Sequence, residues 1–372
     1  MSAALSPSTV RRVAVALLLL VAAATVATVA TARGAQPARA AFVIGGVQVP
    51  AGQRVDVDLA VPAGAGDPAT TVLTTVFHGA RPGRVLALTA GVHGFEYAPI
   101  LAAQRLRDRI DPATLSGTVI LVRLAHVNAF EQRVPFVNPF DRKNLNRMFP
   151  GNADGTQAER IAWTLTTDVI RRSDLHVELH GGDAAEWLEA FAGAYGGPLA
   201  AAQYADARRM ALAFGLRNYV KYSMNTQAQV DSGRSLNRQA VADGKPTVLI
   251  EIGENGRTDD AFVTPIVSGV ENLLRVFGMS PGSATPPRAD TRWLDDTTGV
   301  SAKTTGMFTP VATTARAVKA GETIGTIRDY RGAVVETVVS PIDGYALYGL
   351  AGPPVVAGDT VVTIGRPAKG PL

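Results

Sequence analysis

"SDLHVELHGGD", residues 173–183, holds two of the chain's five histidines four positions apart, with a glutamate midway between them. Whether this stretch is helix or strand decides the fold around it. On a helix, His176 and His180 would share a face and Glu178 would point away. The helical zinc motif needs glutamate directly after the first histidine, which is not the order here. Leu175, Val177 and Leu179 instead alternate with polar residues, and a period of two predicts a strand. His176, Glu178 and His180 then share one face, with successive neighbours roughly 6.5–7 Å apart. The two histidines stand about twice that distance apart, too far to bind one ion through bonds of about 2 Å. At most one serves a given metal. His180, the last residue before Gly181-Gly182, is placed for it at the strand's carboxyl end.

The same alternation of elements extends to both sides. "RVLALTAG" (84–91), "GTVILVRLA" (117–125) and "PTVLIEIG" (246–253) read as buried strands. "EYAPILAAQRLRDRI" (96–110), "GTQAERIAWTLTTDVIRRS" (155–173) and "AAQYADARRMALAFGL" (201–216) read as helices. Buried strands separated by helices predict an α/β fold, a mixed but mostly parallel sheet covered on both faces. Functional side chains in such sheets collect where strands end at their carboxyl edges.

Residues 1–40 differ in kind. Arg11 and Arg12 precede an apolar run from Val13 to Ala30, followed by Ala38-Arg39-Ala40. A basic start, an apolar middle and a small-x-small end predict an export signal, so the mature protein is expected outside the cytoplasm. The apolar run is near the lower limit for a membrane span, and a retained leader would act as an anchor. The four arginines of this segment account for the whole formal charge of +4. The remainder therefore lacks the basic footprint of a nucleic-acid binder. With no cysteine in the chain there is no disulfide framework.

Residues 278–300 begin with "GMSPGSATPPRADTRW" and read as a linker between a catalytic region, 41–277, and a small β-domain, 301–368. The tail contains a repeat, "VKAGETIGTI" (318–327) against "VVAGDTVVTI" (355–364), six of ten positions identical. Two such half-units predict a small β-sandwich with internal twofold symmetry. It resembles a lipoyl-type domain, but "RDYRGAVVE" (328–336), between the halves, lacks the lysine that carries a cofactor. A structural or docking module is the better reading. If the tail is independent, a chain ending near Phe277 keeps full activity.

Chemistry concentrates in four stretches. "TAGVHGFEYAPI" (89–100) puts His93 just past a strand and Glu96 at the start of the next helix. With His180 these make a His-Glu-His set that leaves one position open, as in a catalytic zinc site. "KPTVLIEIGENGR" (245–257) offers Glu251 as a carboxylate base, with Glu254 competing. "NPFDRKNLNRMFPG" (138–151) brings together Arg142, Asn146 and Arg147, residue types suited to capturing a carboxylate. His176 reads as a hydrogen-bonded strand residue, His78 as loop, and His126 as the end of a strand.

In that order, "GVHGFEY", "NLNRMFPG", "ELHGGD" and "PTVLIEIG" resemble the succinylglutamate desuccinylase/aspartoacylase family, zinc amidohydrolases related to zinc carboxypeptidases. The resemblance spans roughly residues 75–275. It implies His93, Glu96 and His180 as ligands of one zinc ion per chain, Glu251 as the base, and Asn146 and Arg147 as substrate-carboxylate binders. It also implies a further arginine at the scissile carbonyl; Arg142 and Arg133 both qualify, and Arg142 is favoured. The strand motif of the family usually reads Asp-Leu-His, where this chain has Glu178-Leu179-His180. The expected function is zinc-dependent hydrolysis of the amide bond of an N-acyl amino acid. The alternatives are a metallocarboxypeptidase acting on peptides, including cell-wall peptides, and a binding protein that retains the pocket. The expected partner is a small amide or peptide-like substrate; no nucleic acid is expected.

Overall fold

The computed structural model describes residues 39–313 and 316–372; the export leader lies almost wholly outside the described residues. From Ala41 to Leu372 the chain is one compact unit. A short hairpin, β1 (Phe42–Ile44) and β2 (Val47–Val49), precedes β3 (Gln53–Val61), β4 (Thr70–His78), β5 (Arg81–Ala90) and β6 (Ser116–Leu124). Then come β7 (Leu175–His180), β8 (Glu186–Leu188), β9 (Phe191–Gly196), β10 (Asn218–Ser223) and β11 (Thr247–Glu251).

β6, β5, β7 and β11 lie side by side and parallel. Around this centre the sheet is mixed, with β4 antiparallel to β6 and β9 antiparallel to β11. The expectation of a mostly parallel sheet holds within two groups, the four central strands and the run β9, β10 and β12, which are parallel to one another. Alternation along the strands sorts the two faces. Leu86, Leu88, Val119, Leu121, Leu175, Val177 and Leu179 pack with helices Tyr97–Leu106, Tyr204–Ala213 and Asp260–Val276. Ala87, Ile120 and Val122 pack with Ile161, Leu165 and Leu236 of the helices on the opposite face.

Strand geometry at 175–180 has the consequence expected of it: His176, Glu178 and His180 face away from the leucines. His176 is held between Thr89 Oγ1 at 3.2 Å and Thr247 Oγ1 at 3.1 Å. Burial lowers its pKa to about 4, so it is neutral and occupied within the sheet.

After helix Asp260–Val276 the chain is irregular through 291, and β12 (Arg292–Ser301) begins inside the stretch expected as linker. β12 hydrogen-bonds in parallel with β10 and so extends the main sheet. The rest of the tail comprises β13 (Gly306–Pro310), β14 (Ala317–Val318), β15 (Thr323–Arg328), β16 (Val334–Val339), β17 (Gly344–Leu350), β18 (Pro354–Val355) and β19 (Thr360–Pro367). One layer, β16-β15-β13-β18, faces the end of the main sheet, β14-β17-β19-β12. The sequence repeat maps onto this arrangement. Its first copy starts in the main sheet at β14 and crosses to β15; its second starts in the small sheet at β18 and crosses to β19. Phe308, Ile324, Val338, Val361 and Ile364 fill the space between, together with Trp187 from β8 of the catalytic region. β8 itself pairs with β17. The tail is therefore joined to the catalytic region by strand pairing at two places.

Candidate active site

β5, β7 and β11 are neighbours, and their carboxyl ends deliver His93, His180 and Glu251 to one place. His93 sits in the loop after β5. Gly91, at φ 71°, makes the turn out of the strand, a conformation glycine adopts without steric cost. At Gly94 a Cβ would stand 2.2 Å from the Phe130 backbone nitrogen, so the loop closes against that segment only with glycine there. Glu96 follows at the start of helix Tyr97–Leu106. All three of His93, Glu96 and His180 are buried.

His93 Nδ1 lies 2.7 Å from one Glu96 oxygen, and His180 Nδ1 lies 2.7 Å from the other. One ligand atom from each residue falls within 4.8 Å of the others. The outer nitrogens are engaged elsewhere: His93 Nε2 donates to Asn144 Oδ1 at 3.2 Å and His180 Nε2 to Glu178 Oε1 at 2.6 Å. With those protons assigned, both Nδ1 lone pairs and the Glu96 carboxylate face one another, a donor set that fits a divalent cation. Electrostatics points the same way. Burial opposes a charge on His180, yet Glu96 and Glu178 outweigh it and raise its pKa well above the ordinary value. Burial likewise works against ionised Glu96, but His180 and His93 bring its pKa down to about 2. The pocket between these groups favours positive charge.

Glu178 takes up the position behind His180 despite its extra methylene. Its Oε1 also accepts from Asn146 Nδ2 at 2.9 Å, and its Oε2 accepts from Asn237 Nδ2. Asn237 accepts in turn from the Thr247 hydroxyl. The two asparagines belong to two copies of one tripeptide, Leu145-Asn146-Arg147 and Leu236-Asn237-Arg238. In each copy the leucine is fully buried, the asparagine holds Glu178, and the arginine lines the cavity. The recurrence of Leu-Asn-Arg is the signal by which the second copy could have been found in the sequence.

Asn146 is thus tied down within the protein, its Oδ1 accepting from Leu236 N at 2.9 Å. It positions Glu178 and also lines the cavity. Arg147 is exposed and lines the cavity. Arg142 and Arg133 are both exposed and neither lines the cavity. Both have positive φ: Arg133, at 52°, in the turn where its N–H donates to Phe130 O, and Arg142, at 60°, in a turn whose backbone is held by Asn138 Oδ1 at Phe140 N and Asp141 N. That turn carries Arg142 outward, and Arg238 is the second arginine at the cavity.

The cavity measures about 520 Å³ and runs from His93 and His180 past Glu251 to Asp296 and Thr297 of β12 and Tyr348 of β17. Glu251 pairs in register with His180. Burial raises its pKa well above the carboxylate range, with Glu96, Glu186 and Glu178 adding to the effect and His180 opposing it. Glu254 instead pairs with Arg257 at 3.2 Å. Two acids not anticipated from the sequence lie nearby. Burial pushes Glu186, in the cavity wall, up to about 7, and Asp183, bonded to Phe136 N, up to about 6. Burial also pushes Tyr348 up to about 12, so its hydroxyl keeps its proton.

Comparison with known proteins agrees with this geometry. The sequence pattern of the succinylglutamate desuccinylase/aspartoacylase catalytic domain matches residues 82–277. The chain is 30% identical over 228 residues to an Nα-acetyl-L-2,4-diaminobutyric acid deacetylase of Halomonas elongata, an alignment covering 60% of this chain. It spans 63% of that deacetylase's own length. The crystal structure of a succinylglutamate desuccinylase/aspartoacylase from Rhodobacter sphaeroides superposes with a TM-score of 0.73 at 24% identity, covering 85% of this chain and 96% of the other. The product-bound ectoine utilization protein EutE (DoeB) of Ruegeria pomeroyi superposes with a TM-score of 0.75 at 22% identity, covering 86% and 97%. These structures share the fold. With a catalytic-domain match over more than half its length, the chain belongs to the succinylglutamate desuccinylase/aspartoacylase family.

Proposed function

We propose that the protein is a zinc-dependent amidohydrolase that removes the acyl group from an N-acyl amino acid. The observation that carries this reading is the His93-Glu96-His180 set, with both Nδ1 atoms turned toward one carboxylate and both Nε2 atoms engaged behind. A zinc ion held there would supply Lewis acidity at the acyl carbonyl. Glu251 takes a proton from the attacking water as its oxygen bonds to the acyl carbon. The same carboxyl group then returns that proton to the amine nitrogen as the C–N bond breaks. Arg147 and Arg238 hold the substrate carboxylate in the cavity, and the Tyr348 hydroxyl donates to substrate from the tail side.

The deciding measurement is metal content. The parent is expected to hold about one zinc per chain, His180→Ala little, and His176→Ala as much as the parent. Near-zero metal in the parent after zinc-replete purification overturns the mechanism. Products then separate a deacylase, which accepts a single acylated amino acid, from a peptidase that trims longer chains.

Export is proposed on the leader alone. N-terminal sequencing of protein recovered from outside the cytoplasm is expected to begin near Ala41. A chain retained intact in the cytoplasm contradicts it. Among the described residues no helix is long and apolar enough to cross a membrane.

A further inference from the structure

β12 carries an irregularity where it borders the cavity. Leu294 lies opposite Pro367 and Thr297 opposite Gly365, so β12 has one residue more than β19 between these pairs. This is a β-bulge, a device that re-aims side chains and is common beside active sites. Within it Asp296 has φ 70°, a left-handed conformation that only glycine, asparagine and aspartate take readily. Asp296 lines the cavity. Among the described residues it has no ion-pair partner, and the hydrogen bond it accepts comes from the adjacent Thr297 N–H at 2.8 Å. Burial raises its pKa, and the Thr297 N–H and the charges of Arg366 and Arg238 only partly offset this. A strained, partly desolvated acid at the cavity, with no cation within ion-pair distance among the described residues, is a binding group for one.

Its place in the sheet says which part of a substrate it meets. β12 is separated from β11 by β10 and β9, which puts it about 14 Å away at roughly 4.8 Å per strand. Tyr222, on β10 between β11 and β12 in the strand order, lines the same cavity as Glu251 and Asp296. Asp296 is therefore remote from the amide that Glu251 serves.

We propose that Asp296 reads a cationic group at the far end of the substrate's side chain. The favoured substrate is then an N-acyl amino acid of the ornithine or lysine type. In a lysine side chain five single bonds of about 1.5 Å each separate Cα from the terminal nitrogen, a contour of about 7.5 Å that crosses about half of that gap, the acid side chains reaching in from either end. Arg147 and Arg238 hold the α-carboxylate while the ammonium reaches Asp296. This assignment rests on the amide-hydrolase reading above and adds its selectivity.

The test compares Nα-acetyl-L-lysine with Nα-acetyl-L-norleucine, of similar shape without the charge, on the full zinc-replete protein. The parent is expected to favour the lysine compound by about tenfold or more in kcat/KM, as for a charge-assisted contact. Asp296→Asn keeps the side-chain size and tolerates the same backbone conformation. It is expected to bring the ratio toward one, chiefly through KM. Because the readout is a ratio within one preparation, a general loss of activity does not obscure it. Equal kcat/KM for the two compounds in the parent overturns the proposal, as does an unchanged ratio in Asp296→Asn, and either leaves amide hydrolysis standing. Hydrolysis of neither compound counts against the amide-hydrolase reading instead. Calorimetric titration with lysine and norleucine then decides for Asp296, since equal affinities in parent and variant overturn its role.

Discussion

Glu251→Gln is expected to lower kcat for amide hydrolysis by about 10²–10⁴-fold while the protein keeps its full complement of zinc. Both halves follow from position. Glu251 closes β11 level with His180 but lies outside the set of atoms that converges on Glu96. Its carboxylate is raised first by burial and then by neighbouring acids, with His180 opposing. A raised pKa makes it a stronger base for the proton of water and a ready acid toward the departing amine. Glutamine preserves shape and hydrogen bonding but carries no transferable proton. Glu186 lines the same cavity with a pKa pushed to about 7 by burial, which makes it the rival. A loss of less than about tenfold in Glu251→Gln, with a large loss in Glu186→Gln, would transfer the proton-carrying role to Glu186.

Removing the tail after Phe277 is expected to abolish both hydrolysis and a cooperative fold. The sequence reading of an independent docking module predicts the opposite, full activity. Phe191 and Val220 of the catalytic region form one cluster with Leu294 and Leu347 of the tail, and Trp187 is buried among tail residues. Exposing Trp187, Phe191 and Val220 alone costs roughly 4.5–9 kcal/mol at 1.5–3 kcal/mol per buried side chain. That is comparable to the whole stability of a typical domain. β10 would lose its β12 partner and become an open edge, a known route to aggregation. The cavity would lose Asp296, Thr297 and Tyr348. Circular dichroism, thermal melting and turnover of the shortened chain check this. A soluble, cooperatively melting and fully active product would restore the independent-module reading.

Much of this arrangement is legible in the sequence because it depends on local pattern. The alternation in residues 175–180 fixes the strand and its two faces. The glycines after β5 and β7 mark the strand ends where His93 and His180 stand. What escapes notice depends on distant partners. β9, "FAGAYG", is poor in β-branched residues, and it is a strand because β10 and β11 flank it. Arg142 is close to Asn146 in sequence, yet a left-handed turn carries it to the surface. Arg238, about ninety residues further on, takes a place at the cavity through a tripeptide shared with residues 145–147. Asp296 looks like an ordinary linker acid until β12 is seen to bulge beside the cavity.

The continuity of the main sheet across β10 and β12 also bears on how such proteins can be recombined. The segment rich in proline and glycine at 278–291 looks like a natural seam for exchanging tails between relatives. The hydrogen-bonded seam lies instead between β10 and β12, and a second lies between β8 and β17. A chimaera joined at 278–291 would bring in a foreign β12 and a foreign β17 at once. It would inherit a new cavity wall, and with it the tail donor's choice of substrate, while keeping the recipient's histidines and glutamates. In lineages where tails have been exchanged, substrate preference should therefore follow the tail, and the chemistry of bond cleavage the front of the chain.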